Sequence, residues 1–230
     1  MPMMLDSIAP GVWSTSTPVR FVGIPMRANT TIATMENGLF VCSPGALSDE
    51  LKRAIDAIGE VRVIAAPNRF HHLFIQRWRE AYPDASVHVP ESLVSKRADL
   101  SDCHFLGEEA HADYGDAIAQ RRMHGLPAID ETWFFHRPSK TLINNDLMHN
   151  MHDESSAFAR FGWSMMGSWK RFGPSRMERW LTRDKPALAM SIEAALEWKF
   201  ERALVAHGDV FETKDPRADV RAVWRWLLHK

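Results

Sequence analysis

The sequence predicts an α/β protein, with α+β character because paired strands precede a run of alternating helices and strands. Residues 29–35 alternate polar and apolar side chains, and Asn37-Gly38 leads into residues 39–43, of which the first four are apolar. An Asn-Gly pair between two such runs is a strong signal for an antiparallel hairpin. Residues 48–90 then show the patterns of a helix, a strand, a helix and a strand. With 230 residues, 45% of them hydrophobic, we expect a single domain spanning residues 1–230.

The first half of the chain has the clearer element boundaries. Ser48 is a typical helix N-cap, and Leu51, Ile55 and Ile58 follow it at helical spacing before Gly59, which suits the helix end. The other elements predicted here are strands at residues 11–15, 61–66 and 86–89, and a helix from about residue 73 to residue 81.

The second half is less regular. Residues 91–116 contain many polar side chains and predict turns. The remaining pattern predicts strands at residues 118–123, 132–136, 141–145 and 203–206, and helices at residues 192–201 and 219–228.

The net charge of -1 gives no reason to expect a nucleic acid or an anionic membrane as partner. No segment approaches the roughly 18 apolar residues of a membrane span, and the N-terminus lacks a signal-peptide pattern. We therefore expect a cytoplasmic protein without an integral membrane segment. Of the two cysteines, Cys42 lies in an apolar strand and is expected to be a buried, unreactive thiol.

Two adjacent histidines follow the strand at residues 61–66 and precede a helix. His71 and His72 thus occupy a strand-to-helix turn, where open α/β sheets present their functional groups. Neutral imidazoles are common zinc ligands, so the pair is a candidate for metal binding. In the alternative interpretation, one ring is a hydrogen-bonded core histidine and the other donates near the helix N-terminus.

Two further strands end in residues that a metal site can use. Asp146 follows the strand at residues 141–145, and His207-Gly208 follows the strand at residues 203–206. A carboxylate at a strand end can bind a metal or hold a histidine, although it can equally cap the next turn. Together the three strand ends predict one site that gathers His71, His72, Asp146 and His207, with His124 as a fifth candidate ligand.

Several neighbouring residues are given other interpretations. His149 and His152 are close enough to Asp146 to replace lost ligands, but exposed loop positions are the preferred interpretation. His88, in a strand, and His136, before a turn, are assigned no function. Asn68 is interpreted as a turn-forming residue in preference to one that orients His72.

The order of these features resembles the metallo-β-lactamase-like superfamily. Both have an N-terminal β-meander, a strand ending in a histidine cluster, a strand ending in aspartate and a C-terminal His-Gly. More narrowly, residues 66–74, 82–85 and 96–100 look like a divergent branch of that superfamily. The resemblance covers essentially the whole chain and implies a four-layer αββα sandwich with its site on one edge. It also implies that Asp146 matches the superfamily's bridging aspartate and His207 its last histidine.

The chain departs from the superfamily in the loop that normally supplies most ligands. The superfamily's motif is H-x-H-x-D-H, whereas residues 68–72 read Asn-Arg-Phe-His-His. At least two customary ligands are therefore absent, and a two-metal site needs more ligands than remain. We expect at most one divalent ion (zinc, alternatively iron or manganese) or, if the site has decayed, no metal and a hydrogen-bonded polar cluster. The ligands would be His71, His72, Asp146 and His207.

Two functions from different classes follow. The first is a metal-dependent hydrolase of a small ester, thioester, lactone or phosphodiester, in which Asp146 and His72 have the catalytic roles. The metal would lower the pKa of water to about 7. The second is a non-catalytic protein that binds a small molecule on a scaffold that has lost the metal. Redox chemistry at a single iron is a third, weaker interpretation.

Aromatic and methionine side chains crowd into residues 158–180. Among them Phe158, Phe161, Met165 and Trp169 follow one another at helical spacing. An amphipathic helix packed on the core or on a second copy of the chain is the first interpretation. A lid over an apolar pocket is the second, and a helix on a membrane surface the third. Any homodimer is expected to form through residues 155–182.

Overall fold

The computed structural model describes residues 5–152 and 156–228. Its first sheet contains seven strands that lie side by side in chain order. They are β1 Asp6–Ala9, β2 Val12–Phe21, β3 Ile24–Met35, β4 Gly38–Cys42, β5 Val61–Ala65, β6 Ser86–Val89 and β7 His104–Phe105. Strands β1 to β4 pair antiparallel, whereas β4 to β7 pair parallel. The carboxyl ends of β4, β5 and β6 therefore meet at one edge of this sheet.

The N-terminal meander contains the predicted hairpin and extends beyond it. Met35 pairs with Gly38 across a two-residue turn, which confirms the Asn-Gly signal. Strand β2 continues to Phe21 instead of ending at residue 15, and β3 begins at Ile24 instead of residue 29. The added residues include threonine, proline and arginine, so they lack the apolar alternation that predicts a strand, although pairing still satisfies their backbone. This long ribbon borders the site described below.

The second sheet has four strands in the order β13-β10-β9-β8. These are β8 Ile118–Arg122, β9 Thr132–His136, β10 Thr141–Ile143 and β13 Arg202–Leu204, and all four lie at predicted positions. Strand β13 runs parallel to β10, while β10, β9 and β8 alternate in direction. A separate pair joins β11 His149–Asn150 to β12 Phe172–Gly173.

The described helices are α1 Asp49–Asp56, α2 Ile75–Ala81, α3 Ala157–Met166, α4 Arg176–Leu181, α5 Lys185–Leu196, α6 Pro216–Val223 and α7 Arg225–Leu228. Ser48 caps α1 as predicted, because its hydroxyl accepts the backbone N–H of Leu51. The helix predicted at residues 192–201 begins earlier, since Asp184 caps its N-terminus. The last predicted helix is divided into α6 and α7 at Trp224. None of the described helices is long and apolar enough to cross a membrane.

The two sheets face each other across a shared apolar core, in which the Phe40 and Phe134 rings meet edge to face. Cys42 lies in the same core, and complete burial raises the pKa of its thiol, as expected for an unreactive cysteine. Helices α1 and α2 cover the outer face of the first sheet, and Trp78 fills that interface. Helices α5 and α6 cover the second sheet, with Leu188 in the contact. The order helix, sheet, sheet, helix confirms the αββα sandwich.

Helix α3 packs differently from the prediction. Its predicted buried stripe faces solvent, because Phe158, Phe161 and Met165 are 62%, 66% and 58% exposed. The buried face carries Trp163, which packs on Met26 of β3. The interpretation that this stripe packs on the core is therefore wrong, since the tryptophan, with its larger apolar area, sits on another face. A homodimer through residues 155–182 stays a prediction.

Candidate metal centre

Three strand ends meet at one edge of the sandwich, as the sequence predicted. His71 follows β5, Asp146 follows β10 and His207 follows β13. Their donor atoms all lie within 4.8 Å of one another. Their side chains are at most 10% exposed, so bulk water has little access to the group. The structure thus brings together three of the four residues that we expected to converge.

His72 and His124 lie outside this group. The Nδ1 atom of His72 lies 3.1 Å from the guanidinium of Arg97, and burial together with that positive charge lowers the pKa of His72. Successive residues of a tight turn point in different directions, so only one of two adjacent imidazoles faces Asp146. His124 is 46% exposed and pairs with Glu108. His72 and His124 therefore lie outside the group of donor atoms that the structure brings together, and the roles expected for them stay predictions.

Asp146 lies at the centre of the cluster. Its Oδ1 atom lies 3.1 Å from Nε2 of His71 and 2.9 Å from Nε2 of His207, and its Oδ2 atom accepts from the amide of Asn68 at 2.8 Å. Burial opposes ionisation of Asp146. The positive charge of His71 and the hydrogen bonds of both imidazoles outweigh that effect and hold the pKa well below its usual range. The carboxylate is therefore ionised.

A second buried carboxylate, Glu131, lies directly behind Asp146. Its two oxygens accept four hydrogen bonds: from the Asn68 amide at 3.0 Å, the Trp133 indole at 2.9 Å, and the backbone N–H groups of Asn145 at 3.1 Å and Asp146 at 2.7 Å. Burial, followed by the negative charge of Asp146, raises the pKa of Glu131 to about 7. Glu131 thus fixes the backbone from which Asp146 projects.

Asn68 closes a turn and also positions a histidine, which is His71 and not His72. Its Oδ1 atom accepts the backbone N–H groups of Phe70 at 2.9 Å and His71 at 3.1 Å, which closes a turn. Its amide nitrogen donates to Asp146 and Glu131. One fully buried side chain therefore links the loop that carries His71 to the carboxylates of the site.

The outer nitrogens of both imidazoles have partners that orient the rings. The Nδ1 atom of His71 lies 2.5 Å from the hydroxyl of Ser43, and Nδ1 of His207 donates to the backbone carbonyl of Arg27 at 2.8 Å. Metal-binding histidines usually have such a partner on the nitrogen that faces away from the ion. Ser43 directly follows β4 and has a φ of 60°, a left-handed conformation that a serine adopts at some energetic cost.

The contact between His207 and Asp146 tests whether a metal fits. The Arg27 carbonyl can only accept, so Nδ1 of His207 carries the proton. Burial lowers the pKa of His207, which favours the neutral ring. Nε2 of this ring lies 2.9 Å from a carboxylate oxygen of Asp146. In the neutral ring this contact joins two acceptors, and a cation between them, either a second proton on the ring or a metal ion, stabilises it; two nitrogens and one carboxylate suit one divalent ion.

His149 lies beside this cluster and is buried, so the interpretation of it as an exposed loop residue is wrong. Its ring stacks on that of His207 with centroids 5.9 Å apart. Its Nε2 atom lies 3.3 Å from Glu178, whereas its buried Nδ1 has no hydrogen-bond partner among the described residues. Burial disfavours the charged form of His149, but the negative charge of Glu178 outweighs this and raises the pKa. The β11–β12 pair turns the histidine inward.

Sequence reasoning missed several residues that hold the site together: Ser43, Glu131 and Glu178. Glu178 had a detectable signal, since Ser175 and Glu178 form a capping box at the start of α4. Ser43 and Glu131 had none, because an isolated serine after a strand and an isolated glutamate before one are common at the surface.

An apolar cavity of about 280 Å³ opens onto the candidate metal centre. Its walls include Val19, Phe21, Met26, Phe70, Leu73, Phe74, Trp163, Met166 and Met177. Trp163 and Met166 come from α3, so this helix forms one wall of the cavity. Arg69 and Lys96 also border the cavity. The cavity suits a small, mostly apolar ligand.

Comparison with solved structures gives the fold. The chain matches the DIM-1 metallo-β-lactamase exposed to ceftazidime with a TM-score of 0.65 at 13% identity, over 97% of each chain. It matches the metallo-β-lactamase from Pontibacter korlensis with a TM-score of 0.63 at 13% identity, covering 94% of this chain and 96% of that one. The Flv1 flavodiiron core from Synechocystis gives 0.65 at 10% identity, over 98% of this chain and 60% of that one.

No sequence family and no curated protein matches the chain. The structural matches nevertheless extend over nearly its whole length. The chain has the metallo-β-lactamase fold, which confirms at the level of fold the resemblance seen in the sequence.

Proposed function

We propose that the protein is a metal-dependent hydrolase that uses one divalent ion. The ligands are Nε2 of His71, Oδ1 of Asp146 and Nε2 of His207. The observation that carries this proposal is the convergence of the three side chains, whose donor atoms all lie within 4.8 Å of one another. Zinc, iron and manganese all accept nitrogen and carboxylate ligands. When bound, such an ion would supply the Lewis acidity that polarises a carbonyl and lowers the pKa of water.

The cavity favours an ester, thioester or lactone with an apolar acyl group. Its walls are mostly aromatic, aliphatic and methionine side chains, which gain free energy by excluding water from such a group. A phosphodiester would place its negative charge near Asp146 and Glu131. Arg69 and Lys96 border the cavity and suit a substrate with one anionic group at its far end.

The residues around the ligands act by orienting them. Asp146 stays ionised because two imidazoles and Asn68 surround it. Ser43 holds His71 with its Nε2 toward Asp146, and the Arg27 carbonyl does the same for His207. Fixed ligands reduce the entropy lost on binding a metal or substrate.

A second candidate function is binding of an apolar small molecule without turnover. The observation that favours it is the lining of the cavity, in which aromatic, aliphatic and methionine side chains outnumber the three proposed metal-binding ones. Such a protein would bind the same acyl compounds and leave them intact.

The test uses untagged protein, loaded in turn with zinc, iron(II) or manganese, and a panel of nitrophenyl esters and thioesters of increasing acyl length. The matched variants are His71→Ala and His72→Ala, since these neighbours differ in whether they face Asp146. We expect metal-dependent turnover that His71→Ala lowers by about 100-fold or more and His72→Ala changes by less than about tenfold. Equal activity of wild type and His71→Ala would overturn the hydrolase. Saturable binding without turnover by the metal-loaded protein would instead support the binding function.

A further inference from the structure

Four residues with metal-binding side chains meet at the β7 edge of the first sheet, apart from the candidate metal centre. His88 and His104 are direct partners in the parallel β6–β7 pair, and their rings stack with centroids 4.9 Å apart. The connection between β7 and β8 adds His111 and Asp113. The His111 ring lies 4.7 Å from that of His104 and 4.9 Å from that of His88. Two strands and one loop therefore converge on a single point.

The donor atoms are close enough for a single ion. Those of His88, His111 and Asp113 all lie within 4.8 Å of one another. One carboxylate oxygen of Asp113 is 3.2 Å from Nε2 of His88, and the other is 3.2 Å from Nδ1 of His111. Zinc lies about 2.0–2.2 Å from nitrogen and oxygen ligands, so two ligands of one ion are roughly 3–4 Å apart. The two distances to Asp113 already lie in that range.

His88 forms the buried floor of the cluster. It is 0% exposed, and its ring lies edge-on to Tyr114, whose own ring contacts Phe40 in the core between the sheets. Burial, followed by the positive charge of His111, lowers the pKa of His88 to about 4, so the imidazole is in the neutral form that binds metals. Its Nε2 atom faces Asp113 at 3.2 Å and also lies 3.0 Å from the hydroxyl of Ser86.

The outer side of the cluster is open to solvent. His111 and Asp113 are 39% and 34% exposed, and His104 is exposed as well. An ion can therefore enter from solvent and reach a floor that is already in place. Two imidazoles and one carboxylate have donor atoms at this spacing, and His104, whose ring lies 4.7 Å from that of His111, is the candidate for the fourth ligand that a structural zinc site uses.

We propose that His88, His104, His111 and Asp113 form a structural zinc site that ties the loop after β7 to the edge of the first sheet. Strand β7 has only two residues and forms the sheet edge, so few backbone hydrogen bonds hold it. The ion would link that edge to β6 and to the loop containing His111. This site is independent of the proposed hydrolase, because it shares no residue with the candidate metal centre.

The test compares zinc stoichiometry in wild type and in the double variant His104→Gln/His111→Gln, which leaves the buried His88 unchanged. The control is His124→Gln, which alters an exposed histidine paired with Glu108 of the same loop. Metal-free protein is titrated with zinc against a chromophoric chelator, and circular dichroism checks the fold. We expect the double variant to lose one equivalent and the control to lose none. The same number of equivalents in the double variant and wild type would overturn the site.

Two further readouts keep the proposal testable if the double variant folds poorly. In cobalt-loaded His71→Ala protein, we expect the visible absorption bands of tetrahedral cobalt, since the second site is intact. In the same variant, zinc is expected to slow amide hydrogen exchange in residues 104–114. Unchanged exchange in this segment would contradict the proposal, whatever activity the protein has.

Discussion

Glu131 accepts the backbone N–H of Asp146 at 2.7 Å, so a fully buried carboxylate fixes the position of the central candidate ligand. Asn68 donates to both carboxylates and lies between them. Two neighbouring negative charges disfavour each other, and this repulsion adds to burial in raising the pKa of Glu131. The orientation of Asp146 therefore depends on a residue that never faces the cavity.

Replacing Glu131 by glutamine is expected to lower the free energy of unfolding by about 3 kcal/mol. Each oxygen of Glu131 accepts two hydrogen bonds, so the new NH₂ group must face two buried donors. Urea denaturation of the chelator-treated protein measures the change. The control Glu201→Gln changes an exposed glutamate that pairs with Lys140, so we expect a loss of less than about 1 kcal/mol. Equal losses in the two variants would contradict the arrangement described here.

Removal of the Ser43 hydroxyl is expected to weaken zinc binding at the candidate metal centre by about 10- to 100-fold without changing the stoichiometry. The hydroxyl holds the His71 ring through Nδ1, and an unrestrained ring loses entropy when it binds. Isothermal titration calorimetry of Ser43→Ala and Ser43→Gly measures the effect. Because Ser43 has a φ of 60°, glycine also relieves backbone strain, whereas alanine keeps that strain and removes only the hydroxyl. Unchanged zinc affinity in Ser43→Ala would contradict this role of the hydroxyl.

The buried pair of His149 and Glu178 is expected to make stability depend on pH. Glu178 raises the pKa of His149 above 6.5. The resulting stabilisation of the folded state is complete below pH 6.5 and is lost as pH rises through the folded-state pKa of His149. Burial opposes ionisation of Glu178, but the charge of His149 outweighs burial and lowers the pKa of Glu178 below 4.5. The stabilisation that follows is present above pH 4.5 and is lost on acidification. Both contributions are therefore complete between pH 4.5 and 6.5.

Thermal or urea unfolding of wild type and Glu178→Gln across this pH range tests the pair. We expect the wild type to be more stable by about 3 kcal/mol near pH 6, with a smaller advantage at alkaline pH. Glu193→Gln is the control, because Glu193 forms an exposed pair with Arg221 and is expected to change stability by less than about 1 kcal/mol. An advantage that grows toward alkaline pH would contradict the assignment of charge to His149.

Shortening Met166 is expected to shift the preferred substrate toward longer acyl chains. Met166 lines the cavity, so alanine enlarges the space and removes contacts with a short chain. For the short ester, kcat/KM should fall about tenfold or more, and for a longer one it should fall less or rise. The control Met190→Ala changes a methionine that is 75% exposed and outside the cavity, and it should leave the chain-length profile unchanged. Identical profiles for both variants would show that this cavity does not bind the acyl chain.

Local patterns predicted which residues converge at the candidate metal centre. Asp146 and His207 each follow shortly after an apolar strand, a signature that is visible in the sequence. The hairpin at Asn37-Gly38 was equally predictable, because its turn depends on two neighbouring residues. Parallel pairing of β10 and β13 then places the two strand ends together.

The residues that the sequence did not reveal depend on distant parts of the chain. The carboxylate of Glu131 can be buried because it accepts hydrogen bonds from Asn68 and from the backbone of Asp146, which lie 63 and 15 positions away in the sequence. The choice between His71 and His72 depends on how a turn orients two identical side chains, and spacing alone does not specify this. The exposed stripe of α3 was predicted to be buried because periodicity shows that a helix has an apolar face but not which face packs.

The most direct test of the central claim is an anomalous difference map from crystals grown with zinc and measured above and below the zinc absorption edge. We predict a peak about 2.0–2.2 Å from Nε2 of His71, Oδ1 of Asp146 and Nε2 of His207. A well-ordered site without a peak, in which Asp146 keeps direct hydrogen bonds to both imidazoles, would contradict the claim that these residues hold a metal ion.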